Sequence, residues 1–336
     1  MSARAIFFDR DGTLNRDHAF TYQIKDLEII ENVVPALQKL KSDYDFFIVT
    51  NQSGVKRGLF SLEEAEKFTS ALLEELKKSK IDFKKFYICP HHPNENCECR
   101  KPKAKFLLEA SKEFQIDLKS SWVIGDRGSD IELAKRAGTS SILVLTGVNF
   151  SSLQEIKSLG SDYIAADLLE AANFIEAEKT ISKIISRDQI SKVIQQERSK
   201  GRKIVTLNGS FDLLHEGHQK ILAEAKAQGD ILLVALNSDA SIQTYKSPDR
   251  PLNSENSRLR RMSAFSEVDY VTLFSETTPL DLLEDIRPDV HVNGSEYGEN
   301  CIEAPLVKKY GGRIHIVKLV EGRSTSALLQ SKIHKK

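Results

Sequence analysis

The chain has 336 residues, enough for two domains with full cores and long for one. Lys plus Arg is 48 and Asp plus Glu is 48, so the formal charge is zero, which argues against a broad nucleic-acid or polyanion-binding surface while allowing local cationic pockets. The longest apolar runs, such as Ile231 to Leu236, are far too short to cross a bilayer, and Met1-Ser2-Ala3-Arg4 leads directly into strand-like Ala5–Phe8. The expectation is a soluble, cytoplasmic protein with neither nucleic acid nor membrane as partner.

Short apolar strands alternate with amphipathic stretches of helix length, the pattern of parallel α/β architecture. In the first half the predicted strands are Ala5–Phe8, Phe46–Thr50, Lys85–Ile88, Trp122–Gly125 and Ser141–Leu145. Ser61 and Glu64 form a capping-box pattern that predicts a helix over Ser61–Lys78, and a second runs from about Lys103 to Phe114. Residues 167–200 contain no Gly or Pro. Ile181, Ile184, Ile185, Ile190, Val193 and Ile194 recur there at helical spacing, which predicts a packed helical connector over a flexible tether. A second series follows: strand Lys203–Leu207, helix Gln219–Gln228, strand Ile231–Leu236, helix from about Glu255, strand Tyr270–Phe274, helix Pro279–Ile286, and strands Val290–Val292 and Arg313–Val317. The expected fold class is α/β, with two Rossmann-like parallel-sheet domains, residues 1–166 and 201–336, joined by the helical connector 167–200.

Phosphoryl transfer to a carboxylate needs a nucleophile, a nearby acid/base, a divalent cation, a hydroxyl donor and a cation for the phosphate. Asp9 ends the first strand and Asp11 lies two residues on, with Gly12 allowing a tight turn. Thr50 follows an apolar strand, Lys101 sits before a helix, and Gly125-Asp126 ends Trp122–Ile124 with Asp130 four residues later. All arrive at strand or loop ends, where open α/β folds bind ligands. The set Asp9-x-Asp11-Gly-Thr, Thr50, Lys101 and Gly125-Asp126-x-x-x-Asp130 resembles the haloacid-dehalogenase superfamily. That resemblance implies Asp9 as nucleophile and Asp11 as the group that protonates the leaving oxygen and then activates water. It also implies Mg²⁺ held by Asp9, the main-chain carbonyl of Asp11, and Asp126, with Asp130 in support, while Thr50 and Lys101 hold the phosphoryl group.

Cys89-x-His91 and Cys97-x-Cys99 offer four soft or borderline ligands suited to a structural, tetrahedral Zn²⁺, with His92 as an alternative to His91. Three of the four cysteines lie within eleven residues, a spacing that suggests metal ligation over disulfides in a reducing compartment. This loop, fused to Arg100-Lys101-Pro102 and combined with Thr50-Asn51-Gln52-Ser53-Gly54-Val55-x-Arg57-Gly58, is similar to the D-glycero-D-manno-heptose-1,7-bisphosphate 7-phosphatases over residues 3 to 150. Histidinol-phosphate phosphatases share most of these motifs. The resemblance implies that Asn51, Arg57 and Arg100 contact the substrate.

Asn208-Gly209-Ser210-Phe211-Asp212-Leu213-Leu214-His215-Glu216-Gly217-His218 follows a strand and opens a helix. Two imidazoles at i and i+3 beside a helix N-terminus place N–H donors toward phosphates, and Gly209 and Gly217 permit close backbone approach. The arrangement resembles the cytidylyltransferase-like nucleotidyltransferases. Ala235-Leu236-Asn237-Ser238-Asp239-Ala240-Ser241, Lys246-x-x-x-Arg250-Pro251-Leu252-Asn253, Arg258 and Ser324-Thr325-Ser326 look like the adenylyltransferase domain of ADP-heptose synthases. The resemblance implies ATP as a substrate accompanied by Mg²⁺, with His215 and His218 on the nucleotide phosphates. It also implies binding roles for Gly209, Phe211, Asp212, Asn237, Asp239, Lys246, Arg250, Arg258, Ser324, Thr325 and Ser326, and a homodimer through this domain. Asn293 stands where a lysine is usual in that family. Glu321 to Ser326 is also similar to glycerol-phosphate cytidylyltransferases, so the base stays open between ATP and CTP.

The two resemblances describe consecutive steps, from heptose 1,7-bisphosphate to heptose 1-phosphate to ADP-heptose, in lipopolysaccharide and surface-polysaccharide synthesis. One alternative fuses a histidinol- or other sugar-phosphate phosphatase to a glycerol-phosphate-type cytidylyltransferase. Another makes one half a non-catalytic nucleotide or sugar-phosphate sensor.

Overall fold

The computed structural model describes residues 3–214, 216–295, 298 and 300–318. His215 and Ser324, Thr325 and Ser326 therefore lie outside the described residues. The chain divides into two compact units between Ala172 and Asn173. No helix among the described residues is long and apolar enough to cross a membrane.

The first unit contains β1 (Ala5–Phe8), α1 (Val33–Leu40), β2 (Asp45–Asn51), α2 (Leu62–Lys78), β3 (Lys85–Cys89), α3 (Lys105–Phe114), β4 (Trp122–Gly125), α4 (Gly128–Ala137), β5 (Ser140–Val144), α5 (Leu153–Ser158) and β6 (Tyr163–Ala165). The unit boundary falls inside α6 (Leu168–Glu176). Its six strands pair in parallel in the order β3-β2-β1-β4-β5-β6. All four residues of β1 are buried, as a parallel strand covered on both faces requires, and Phe7 stacks on Phe47 of β2 at 5.1 Å. Helix α2 starts on a reciprocal capping box, with Glu64 N donating to Ser61 Oγ at 3.1 Å and Ser61 N to Glu64 Oε2 at 2.7 Å. Strand β6 was not among the predicted elements; three residues carry too little periodicity to stand out from a loop.

The second unit continues with α7 (Ile190–Ser199), β7 (Ile204–Gly209), α8 (Glu216–Lys226), β8 (Ile231–Asn237), α9 (Asp239–Tyr245), α10 (Glu255–Ser263), β9 (Tyr270–Phe274), α11 (Leu280–Ile286), β10 (Val290–Gly294), α12 (Ala304–Lys309) and β11 (Arg313–Val317). Its parallel sheet runs β11-β10-β7-β8-β9. The stretch read as one connector is broken. Residues 177–183 and 187–189 are 3₁₀ turns, and Ile184 is extended, with Ile185 N donating to Val271 O of β9 at 2.9 Å. Pairing with the sheet edge competes with helix continuation here, and it carries Ile185, Ile190 and Ile194 into a core with Ile204, Leu233 and Ile286. Ile181, at the same helical spacing, stays exposed.

In each sheet the strand order reverses beside the strand that enters first, between β1 and β4 and between β7 and β10. The crevice outside the carboxyl ends of those strands is where such sheets bind ligands. Both motif-bearing turns, after β1 and after β7, open there.

Candidate active sites

In the first unit, a cleft of about 430 Å³ opens over the carboxyl ends of β1 and β2, lined by Asp9, Asp11, Thr50 and Lys101, with Arg57, Arg100 and Arg127 among its other lining residues. The Lys101 ammonium pairs with Asp9 Oδ1 at 2.7 Å and Asp130 Oδ1 at 2.6 Å. Carboxylate oxygens of Asp9, Asp126 and Asp130 all lie within 4.8 Å of one another, and all three residues are buried. Three buried acids face the Lys101 ammonium and, 3.8 Å from Asp126 Oδ1, the half-exposed Arg127 side chain, which leaves a net negative charge in a low-dielectric pocket. Burial, with repulsion from Asp9 and Asp130, pushes Asp126 up to about 8. Burial, opposed by Lys101 and reinforced by Asp9, pushes Asp130 up to about 6. Asp126 Oδ2 accepts from Val148 N at 2.9 Å, while its Oδ1 is buried with no hydrogen-bond partner among the described residues. Hard oxygen donors, excess negative charge and an orphaned oxygen fit a hard divalent cation.

Gly12 has φ +81°, and a Cβ there would come within 2.6 Å of Asp126 Oδ2. The turn after β1 thus needs glycine both for its left-handed backbone and for its approach to that acid. Asp11 is held from four directions. It accepts from Arg10 Nε (3.1 Å) and Nη2 (2.8 Å), Asn15 Nδ2 (3.0 Å) and Gln52 Nε2 (2.7 Å). Gln52 Nε2 also donates to Thr50 Oγ1 at 2.9 Å, joining the hydroxyl to the second carboxylate. The Asn51 side chain, though in the cleft wall, exchanges hydrogen bonds with the main chain of Lys101 (3.1 and 3.3 Å).

The Cys/His loop closes on itself. Cys99 Sγ lies 3.2 Å from Cys89 Sγ, 3.2 Å from His91 Nδ1 and 3.8 Å from Cys97 Sγ, and Cys89 Sγ lies 3.7 Å from Cys97 Sγ. Four ligand atoms gathered at these separations can hold one metal ion in a tetrahedron. His91 is the histidine that turns inward; His92 Nδ1 instead accepts from Asn94 N at 3.2 Å. Arg100 Nη1 donates to His91 O at 3.3 Å, so the loop that gathers the thiols also holds the Arg100 guanidinium.

At the carboxyl end of β7 the groups are arranged differently. Asp212 is buried and accepts from Leu252 N and Asn253 N at 2.9 Å while pairing with Arg250 Nη2 at 2.6 Å. Arg258 is bonded internally through all three of its side-chain nitrogens, donating to Asn253 O (3.2 Å), Ser210 O (2.8 Å) and Asp239 Oδ1 (2.6 Å). Lys246 Nζ reaches Ser210 Oγ at 2.9 Å. Desolvation of that amine, with repulsion from Arg250 and Arg258, lowers its pKa although the residue is exposed. Gly209 leaves room for the Phe211 ring, which a Cβ would approach to 2.9 Å, and that ring lies 5.5 Å from the half-buried His218 imidazole. Asn237, at the end of β8, donates to Ser241 Oγ at 3.3 Å. Asn293, at the end of β10, is buried and donates to Glu303 Oε2 at 3.4 Å, so it brings no cation to the crevice.

Residues 98–171 match the family model for HAD-hydrolase-like proteins, and residues 206–328 match that for cytidylyltransferase-like proteins. The first match lies within the first compact unit, which is HAD-like over that stretch, and the second lies within the second unit, which is cytidylyltransferase-like over its stretch. The first match takes in Lys101, Asp126 and Asp130, and the second takes in the turn after β7. Among curated relatives, "Bifunctional protein HldE" of Wolinella succinogenes is 47% identical over 149 residues, covering 44% of this chain and 31% of that protein. The protein of the same name from Syntrophotalea carbinolica is 42% identical over 176 residues, covering 52% and 36%. The chain therefore spans about a third of the length of these relatives. A solved D,D-heptose 1,7-bisphosphate phosphatase from B. bronchiseptica, complexed with magnesium and phosphate, is 27% identical, with 52% of this chain and 99% of that chain covered and a TM-score of 0.47.

In the HAD-like domain, Arg10, Asn15, Gln52 and Arg127 join the site without having been assigned roles from sequence. Gln52 stands inside a quoted motif, which was a usable signal. Arg10 and Arg127 adjoin motif acids, and only the fold shows which way an arginine in such a place turns. Replacing Cys97 and Cys99 with serine should release about one metal ion per chain and lower the unfolding temperature of the HAD-like domain. Elemental analysis of wild type and variant, paired with calorimetry, measures both; a wild type purified in native form without bound metal would refute the site.

A buried imidazole, that of His291, belongs to the cytidylyltransferase-like unit. Burial pushes His291 down from 6.5 to about 4 against the opposing pull of Glu303, and its Nδ1 lies 2.8 Å from Thr206 Oγ1. The folded state thus favours the neutral ring. Its contribution to stability is fully present above about pH 6.5 and is lost as pH falls toward 4, to a total of about 3 kcal/mol. Urea midpoints of that domain measured across this range should fall in wild type and fall less in His291→Gln; equal slopes would count against the assignment.

Proposed function

We propose that the chain is a bifunctional enzyme that removes the 7-phosphate from a heptose 1,7-bisphosphate and then adenylylates the retained 1-phosphate to give ADP-heptose. The observation that carries this reading is the convergence of Asp9, Asp11, Thr50, Lys101, Asp126 and Asp130 at one switch-point crevice, in a chain whose other half is cytidylyltransferase-like.

In the first reaction an Asp9 oxygen attacks phosphorus and the bond to the 7-oxygen breaks, leaving an aspartyl phosphate. Asp11 gives a proton to the departing oxygen, then takes one from the water that attacks the aspartyl phosphate, releasing phosphate and restoring Asp9. Lys101 and the Thr50 hydroxyl hold the phosphoryl oxygens, and Gln52, donating to Thr50, leaves that hydroxyl's own proton free to donate. Mg²⁺ would be held by Asp9, the Asp11 carbonyl and Asp126, and supplies positive charge against the phosphoryl oxygens when bound. Arg57 and Arg100 stand in the cleft wall, placed to receive the distal 1-phosphate. Cys89, His91, Cys97 and Cys99 would hold Zn²⁺, and with four protein ligands it would serve a structural role.

In the second reaction an oxygen of the 1-phosphate attacks the α-phosphorus of ATP in line, and pyrophosphate departs without a covalent enzyme intermediate. His215 and His218 direct N–H groups to the nucleotide phosphates and Lys246 offsets their charge. Asp212, Arg250 and Arg258 act mainly by holding the walls, given their internal bonds. Ser324, Thr325 and Ser326 complete the triphosphate site.

Incubating the purified protein with heptose 1,7-bisphosphate, Mg²⁺ and either ATP or CTP, and reading products by mass spectrometry, tests the whole. ADP-heptose with phosphate and pyrophosphate is expected; CDP-heptose, or no nucleotide sugar, would overturn it. A His215→Ala, His218→Ala variant should lose pyrophosphate release and keep phosphate release. Light scattering should give about twice the 37.8 kDa chain mass for the dimer that belongs to this reading.

A further inference from the structure

We propose that Arg10 is a positioning residue of the phosphatase site, which fixes the plane of the Asp11 carboxylate so that it faces the leaving oxygen. This rests on the reading of Asp11 as the acid in that reaction. The Arg10 guanidinium is wholly buried, 0% exposed, in a turn that follows an apolar strand. A buried guanidinium is costly unless its donors are met, and the packing around β1 could be filled by an apolar side chain of similar volume. Arg10 instead meets three separate elements. Nε and Nη2 form a fork on the two oxygens of Asp11 at 3.1 and 2.8 Å. Nη1 donates to Thr69 Oγ1 of α2 at 3.1 Å, and Nη2 donates to Thr21 O at 2.8 Å. The guanidinium carbon also lies 4.6 Å from the centre of the Phe68 ring.

Two anchors and a ring fix the plane of the guanidinium, and a fork on both oxygens transmits that plane to the carboxylate. Asn15 and Gln52 each reach one oxygen with a single amide and cannot do this alone. A lysine at position 10 would keep the charge but act as a point, leaving the carboxylate free to turn. The consequence falls on one step. While the bond from Asp9 to phosphorus forms and the bond to the leaving oxygen breaks, the proton passes from Asp11 to that oxygen. A p-nitrophenolate leaves without a proton, whereas an alkoxide needs one.

The test is leaving-group dependence of kcat/KM, which reports events up to formation of the aspartyl phosphate. Heptose 1,7-bisphosphate and p-nitrophenyl phosphate are compared for wild type, Asp11→Asn, Arg10→Lys and Thr69→Val, with circular dichroism to establish folding. On the scale of general acid catalysis, Asp11→Asn should lose about 1,000-fold on the alkyl substrate and less than about tenfold on the aryl one. Arg10→Lys should lose about 10- to 100-fold on the alkyl substrate and less than about threefold on the aryl one, and Thr69→Val about threefold on the alkyl substrate alone. If Asp11→Asn is selective but folded Arg10→Lys lowers both substrates equally, or neither, Arg10 is only structural and the proposal fails. Should Arg10→Lys not fold, Thr69→Val decides by the same criterion. An Asp11→Asn variant that loses both substrates equally would sink the reading of Asp11 as acid, and the proposal with it.

Discussion

Asp9→Asn should abolish phosphate release while leaving nucleotidyl transfer unchanged. An amide nitrogen or oxygen at that position cannot form the aspartyl phosphate, so the loss should be about a thousandfold or more. The fold should survive it. Asp9 is one of three buried acids gathered around Lys101 and Arg127, and removing its charge relieves repulsion on Asp126 and Asp130 while Lys101 keeps Asp130 at 2.6 Å. The second unit has its own sheet and its own core, so pyrophosphate release from heptose 1-phosphate and ATP should match wild type. Phosphate and pyrophosphate assays on one preparation settle the matter: loss of both activities together would contradict independent sites.

The largest stability effect is expected from Asp212→Ala. That carboxylate is 2% exposed, accepts from two backbone N–H groups of the Leu252-Asn253 segment and neutralises Arg250, which is itself only 8% exposed. Truncation strands a buried guanidinium and two backbone donors at once. Breaking a buried pair from one side costs about 3–5 kcal/mol, a large share of a domain's stability. Asp212→Asn should be milder in shape but still lose the charge, leaving Arg250 without its anion. Urea denaturation should show the transition of the cytidylyltransferase-like domain moving to lower denaturant while that of the HAD-like domain stays in place. A midpoint for Asp212→Ala equivalent to less than about 1 kcal/mol from wild type would show that water, not the carboxylate, satisfies Arg250 and the loop.

Asp212 also marks the limit of what a motif conveys. Its place in Gly209-Ser210-Phe211-Asp212 suggested a nucleotide contact, and its carboxylate is spent on a segment forty residues further on. Arg258 likewise reads as a nucleotide-binding residue and is bonded internally three times over. Arg10, to which the sequence assigns no role, is wholly buried between two site acids. Residue type and spacing reveal that charge is required near a strand end, but not whether ligand or protein will use it.

Punctuation and periodicity were readable for most of the longer elements. The capping box at Ser61 and Glu64, the buried runs of β1 and β8, and the glycine after Asp11 are chain-local matters of hydrogen bonding, burial and backbone freedom, and they were legible in the order of residues. The inward turn of His91 over His92, the break at Ile184 and the sharing of Lys101 between Asp9 and Asp130 were decided only in three dimensions. Each depends on which groups meet across a parallel sheet whose neighbours are distant in the chain. Coulomb and hydrogen-bond energies follow separation in space, and only the folded chain sets that.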